Sequence, residues 1–365
     1  MNDRFEMLRE LHRRYHNLDY TPQRAAVNRE YVALADQLAL PHEQVSGRYD
    51  LAWAYAMGDD PAKALPVCAE FFALLERYPR ILGEDTARFS VCAAMIAFYV
   101  ATCLSQISLE QCAALLEQFR RQVRKFGLGE RLWQMHACHF RLMTGDKAGA
   151  SEHLARFYAA PRDQISDCAA CEAGNAAEFL LKLGRREEAM ELVRPVLERR
   201  LTCEQQPWSV LSVLIHDALD RGELETARGY GRRLTLRRLQ GPGDLPWAGA
   251  MMRLEAVDGG GRWSDPGKLA RCLTYAMDLW DQTLLFRLYL GAAAYCGCLG
   301  RKRGEIRLTL PPKFPVYYHI ALDSGELGPI PASRSFAACF NRTKRAPGRQ
   351  WPGALFVRTS CKISG

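Results

Sequence analysis

The sequence lacks most of the features that would give it an address or a reaction. Its longest apolar run, "VCAAMIAFYVATCL" from Val91 to Leu104, has 14 residues. That is too short to cross a bilayer and suits a buried helix, so no membrane association is expected. The opening stretch, "MNDRFEMLRELHRRYHNLDY", is charged from its start and has no apolar core of the kind a secretory signal needs. A cytoplasmic protein is the expectation, and 13 cysteines at irregular spacing fit a compartment where thiols stay reduced. No G-x-S-x-G elbow and no G-x-G-x-x-G loop occurs. "GGGRWSDPGKL" resembles a phosphate loop only in passing: five residues separate Gly261 from Gly267 where four are needed, and Leu269 stands where a magnesium-binding hydroxyl should be. Nothing here points to catalysis, and no enzyme is expected.

A general excess of one charge is also missing. The net charge of +8 is confined to one end, because residues 301–365 carry 12 Lys+Arg against 3 Asp+Glu. The other 300 residues hold 37 against 38 and are close to neutral. The same final segment loses the helical period. It opens with an alternating stretch, Glu305 to Leu310, that reads as a strand before Pro311, Pro312 and Pro315 break it. Residues 301–365 are therefore expected to be an irregular basic tail. Two readings stay open: a flexible arm for an acidic partner, or a tail read in a shifted frame from about residue 318 in place of the polar cap that a repeat array needs.

What is present is a recurring layout. "WAYAMGDDPAKALPVCAEFF" from Trp53, "CHFRLMTGDKAGASEHLARFY" from Cys138, "AEFLLKLGRREEAMELVRPVL" from Ala177 and "HDALDRGELETARGYGRRL" from His216 share one order. An apolar helical run meets a glycine (Gly58, Gly145, Gly184, Gly222). Polar residues follow, then a small residue (Ala64, Ala150, Ala189, Ala227) near the start of a second helix. Glycine ends the first helix by accepting a left-handed conformation without a Cβ penalty. Acidic residues such as those in "REEA" favour the positive end of the second helix, and alanine lets the two helices approach. The alanines recur at spacings of 39 and 38, and the gap of 86 between Ala64 and Ala150 leaves room for a further unit at "SLEQCAALLEQFRRQV", around Ala113. "RWSDPGKLARCLTYAMDLWD" from Arg262 and the opening segment from Arg4 to Leu38, broken at Thr21-Pro22, read as further helical pairs.

On these residues, and best over "LLKLGRREEAMELVRPVL", the chain resembles the tetratricopeptide repeats across roughly residues 45 to 290. Its spacing exceeds the usual ~34 residues of that repeat, and HEAT-type pairs are the alternative. The resemblance implies an all-α fold: a right-handed superhelical solenoid of about six helix-turn-helix pairs over residues 1–300. It also implies a non-catalytic scaffold that binds a protein or peptide on its concave face.

Two other signals compete with that reading. Cys168 and Cys171 form a C-x-x-C at the start of one repeat's first helix, and Cys203 sits at the start of the next. Equivalent helices of adjacent repeats are neighbours, so the three thiols are candidates for a shared metal site. No cofactor is expected otherwise, and zinc is the ion this set would take, with Glu172, Glu204, Asp167 or His216 as a fourth ligand. Against it, free cysteine is a common small filler of cores. His136, Cys138 and His139 in "MHACHF" lack the H-E-x-x-H pattern and read as ordinary helix residues. Cys296 and Cys298 in "YCGCLG" read as a helix end, terminated by Gly297 and Gly300. The second signal is a set of basic helix ends: Arg120, Arg121, Arg124 and Lys125; Arg199 and Arg200; Arg232, Arg233, Arg237 and Arg238. Such an edge could bind nucleic acid, but cations are favoured at helix C-termini in any case. The near-neutral body disfavours the nucleic-acid reading.

Overall fold

The computed structural model describes residues 2–19, 22–58, 60–234, 244–258, 266–277 and 281–303. The strand expected over 305–310, the rest of the basic tail beyond residue 303, the glycine-rich loop at 259–261, and Arg237 and Arg238 lie outside them. The described residues are helical and contain no strand. The chain forms two compact units that divide between Ser166 and Asp167, where the sequence reading takes one repeat domain to residue 300.

The first unit contains α1 (Asn2–His16), α2 (Pro22–Gln37), α3 (Pro41–Met57), α4 (Ala64–Arg77), α5 (Thr86–Cys103), α6 (Leu109–Phe126), α7 (Glu130–Met143) and α8 (Lys147–Ala159). Each packs on the next, and α3 also touches α5, which touches α7. From α3 onward the hairpins thus stack through their first helices, while α1–α2 joins them through α2. Helix α5 is the centre of this unit, with Val91, Ala93, Ala94, Ile96, Phe98, Val100 and Ala101 buried. The wider stretch Gly83–Cys103 is long and apolar enough for a bilayer span by length and composition alone, but 67% of its most apolar 18 residues is buried inside the fold. That is the pattern of a core helix. Arg48 on α3 ties three helices together, pairing with Asp36 of α2 at 2.9 Å and Glu70 of α4 at 2.8 Å.

The second unit contains α9 (Ala169–Lys182), α10 (Arg186–Leu197), α11 (Trp208–Asp220), α12 (Leu224–Leu234), α13 (Leu245–Asp258), α14 (Pro266–Ala276) and α15 (Gln282–Arg303). The first helices again stack in order: α9 on α11, α11 on α13, and α13 on α15. The described residues therefore make six hairpins, from α1–α2 to α11–α12, followed by α13, α14 and α15, with α13 packed chiefly on α15; the sequence suggests about six pairs.

Three of the four expected glycine turns have the left-handed backbone: Gly145 and Gly184 at φ 82° and Gly222 at φ 76°. Gly58 differs, at φ −98° and ψ −143°. A short 3-10 turn over Pro61–Lys63 leads into α4 there. Ala64, Ala150, Ala189 and Ala227 are all fully buried. In the α5–α6 hairpin the buried small residue is Cys112, and Ala113 is exposed. Helix α6 has a capping box, with Ser108 Oγ accepting from the Gln111 N–H and the Gln111 side chain accepting from the Ser108 N–H. Gly297 and Gly300 do not terminate a helix, since α15 runs through both to Arg303.

Candidate metal centre

Eleven cysteines fall among the described residues and all are free. Eight of them, including Cys68, Cys112, Cys138, Cys272 and Cys296, are buried; the three that are not are Cys168, Cys171 and Cys203. Their three sulfurs lie within 4.8 Å of one another. Core filling therefore accounts for the eight and leaves these three to be explained.

The local folding that brings them together starts from two helix beginnings. Cys168 is the N-cap of α9, and its Sγ accepts from the Cys171 N–H at 3.4 Å. Cys203 lies in the loop before α11. Its N–H donates to the Gln206 carbonyl, and its Sγ accepts from the Gln206 N–H, each at 3.3 Å. Since α9 and α11 pack as equivalent helices of adjacent hairpins, the two starts face each other. Cys171 Sγ and Cys203 Sγ are 3.4 Å apart, well beyond the ~2.05 Å of a disulfide.

A second layer fixes the loop. Gln206 is only 2% exposed, and its side-chain oxygen accepts from the Val210 N–H at 3.3 Å, capping α11. Its amide lies over Gly174 of α9, where a Cβ would come within 2.9 Å of the Gln206 Cδ. Gly174 thus makes the room that sets the height of Gln206, and with it of Cys203.

Electrostatics separate the thiols. Burial pushes the Cys171 thiol well above its ordinary range, and hydrogen bonds with Cys203 and Cys168 push the same way. Burial also acts upward on Cys203, but hydrogen bonds from Cys171, the Gln206 and Gln205 backbone and Cys168 outweigh it and bring its value down. Asp167, Glu172, Glu204 and His216 are not in the ligand group that the three sulfurs form. Glu172 is buried, and His216 Nδ1 sits 3.2 Å from Arg253 Nη1.

The other sequence candidates are placed elsewhere. His136 lies edge-on to Phe98 and Phe119, at ring separations of 5.8 and 5.9 Å. The basic helix ends are largely engaged within the fold. Arg120 lies 4.3 Å from the Trp133 ring, Lys125 5.1 Å from Phe126 and Arg199 6.0 Å from Trp208. Arg200 pairs with Glu198, and Arg233 donates to the Leu197 carbonyl. Arg121 and Arg124 are exposed.

One polar cluster has no counterpart in the sequence reading. On α1, His12 Nε2 and His16 Nε2 are 3.2 Å apart, and the Tyr15 hydroxyl donates to Asp50 of α3 at 2.9 Å. Burial pushes the Asp50 carboxyl up, against the pull of Tyr15 and the two histidines. Burial and then His16 push His12 down. The i, i+4 spacing of His12 and His16 is the signal that was there to be read.

No protein-family model, curated protein or solved structure matches the chain.

Proposed function

We propose that the chain is a tetratricopeptide-like helical-repeat scaffold that binds a protein or peptide without catalysing a reaction. In this reading each unit is a right-handed solenoid, and the partner lies on the concave side of the stacked hairpins. The observation that supports it is the recurrence of one hairpin layout: a second helix whose small residue is fully buried, at Ala64, Ala150, Ala189 and Ala227, with a left-handed glycine turn before the last three. Such a design builds an extended surface from repeated elements, which suits recognition of another chain. Binding of nucleic acid is disfavoured by the ring, carboxylate and carbonyl partners of Arg120, Arg199, Arg200 and Arg233.

The test uses the full chain as bait in its source lysate, with nuclease treatment and a salt series. A protein partner retained after nuclease and at raised salt is the expected result. Recovery of nucleic acid alone, with steep salt dependence, or of no partner at all, would sink the reading.

A further inference from the structure

We propose that Cys168, Cys171 and Cys203 bind one divalent zinc-like cation as three thiolates, with a water in the fourth position. The site is separate from the scaffold reading and stands or falls without it.

Geometry carries the inference. A zinc ion with sulfur bonds of ~2.3 Å in a tetrahedron spaces its sulfurs by about 3.8 Å. The three sulfurs here, all within 4.8 Å and one pair at 3.4 Å, bracket that spacing. Side-chain shifts of a few tenths of an ångström to about one ångström would seat the ion. The donor chemistry agrees: thiolate ligands select soft and borderline cations such as zinc over magnesium or calcium.

The surroundings are built for sulfur anions as well. Two backbone N–H groups, of Cys171 and Gln206, already point at two of the sulfurs, and such outer contacts orient ligands and stabilise the thiolate. Cys168 and Cys171 occupy the N-cap and first turn of the 14-residue α9, where the helix dipole favours negative charge. Gly174 and Gln206 hold the Cys203 loop from below. The cluster also differs from the chain's other described cysteines in being reachable from solvent, with Cys168 exposed.

Binding forms three metal–sulfur bonds and releases the three thiol protons to water, with no change of oxidation state. Three thiolates and one divalent ion leave a net charge of −1 at the positive end of α9.

The test takes the full chain, reduced and stripped with a chelator, and titrates it with Co2+ followed by Zn2+. The expected result is about one Co2+ per chain with the intense absorption of a tetrahedral sulfur-rich site, displaced by about one Zn2+. Binding should fall to below about a tenth of an equivalent in the Cys171→Ser, Cys203→Ser double variant, whose helical spectrum is recorded alongside. A second readout needs no variant: in the wild-type chain Zn2+ should slow alkylation of Cys168, Cys171 and Cys203 by about tenfold or more and leave the other cysteines unchanged, as mapped by mass spectrometry. Less than about a tenth of an equivalent in the wild type, or zinc that protects other cysteines instead, overturns the proposal. So does a wild-type chain that takes no metal and isolates with a Cys171–Cys203 disulfide.

Discussion

At the scale of single residues, two histidines give the chain a liability to acid. Burial lowers His136 to about 4. His216 is lowered to about 3, by burial first and then by Arg253 and Arg287 against an opposing pull from Glu178. Both are neutral in the folded chain. Unfolding lets each take up a proton below its ordinary value of about 6.5, so the unfolded state binds more protons in that window. Their contribution is therefore complete above about pH 6.5 and is lost as the pH falls towards 4. Urea unfolding should show each site costing about 1–2 kcal/mol at about pH 5 relative to pH 7, and His136→Leu should remove its share of that difference. An unchanged pH dependence in the variant would refute the assignment. The residue scale is also where the sequence was most and least legible. Ala189 and Gly184 were readable because a turn needs a left-handed residue and a close crossing needs a small one. Ala113 misled because the same requirement was met one position earlier, by Cys112. On an amphipathic helix one residue's shift moves the small side chain from the core to solvent.

Among elements, α13 and α15 approach each other closely. Gly249 and Gly291 face each other across it. A Cβ at Gly249 would sit 2.6 Å from the Arg287 carbonyl oxygen and 2.9 Å from the Leu288 Cα, and a Cβ at Gly291 would run into the Gly249 backbone. Both obstacles are main chain and cannot swing aside. Gly291→Ala should force the helices apart and cost about 3 kcal/mol, read as a lowered urea midpoint. A variant as stable as the parent would show that the helices do not cross so tightly. This contact was not legible, because glycine inside a helix carries no periodic signal. The Cys168, Cys171 and Cys203 juxtaposition was legible for the opposite reason. It follows from stacking equivalent helices, which the hairpin period already implies, whereas the sulfur separations depend on Gln206 and Gly174, which no spacing rule reaches.

Over the whole molecule, the second unit closes on an ion pair distant in sequence. Glu178 of α9 pairs with Arg287 of α15 and with Lys182 at 2.8 Å. Burial pushes its carboxyl up, but the charges of Arg287 and Lys182 prevail and hold it well below the usual carboxylate range. Glu178→Gln leaves Arg287 without its counter-charge in a largely enclosed setting and should cost about 2–4 kcal/mol. Hydrogen exchange mapped by fragment should show faster exchange in α9, α11, α13 and α15, with α3, α5 and α7 unaltered. Equal acceleration in both groups would contradict the division between Ser166 and Asp167.

The buried thiols have a practical consequence. Burial pushes Cys68, Cys272 and Cys296 each up to about 12, so these sulfurs are both enclosed and protonated. A colour-forming disulfide reagent can reach them only when the helices around them part. The native chain thus carries its own stopwatch: a fast burst from the accessible sulfurs, then a slow phase whose rate counts openings of the core. Cys68 reports from the first unit, and Cys272 and Cys296 report from the second. Tracking each by mass would time the two units separately in undenatured protein, without a label or an engineered probe.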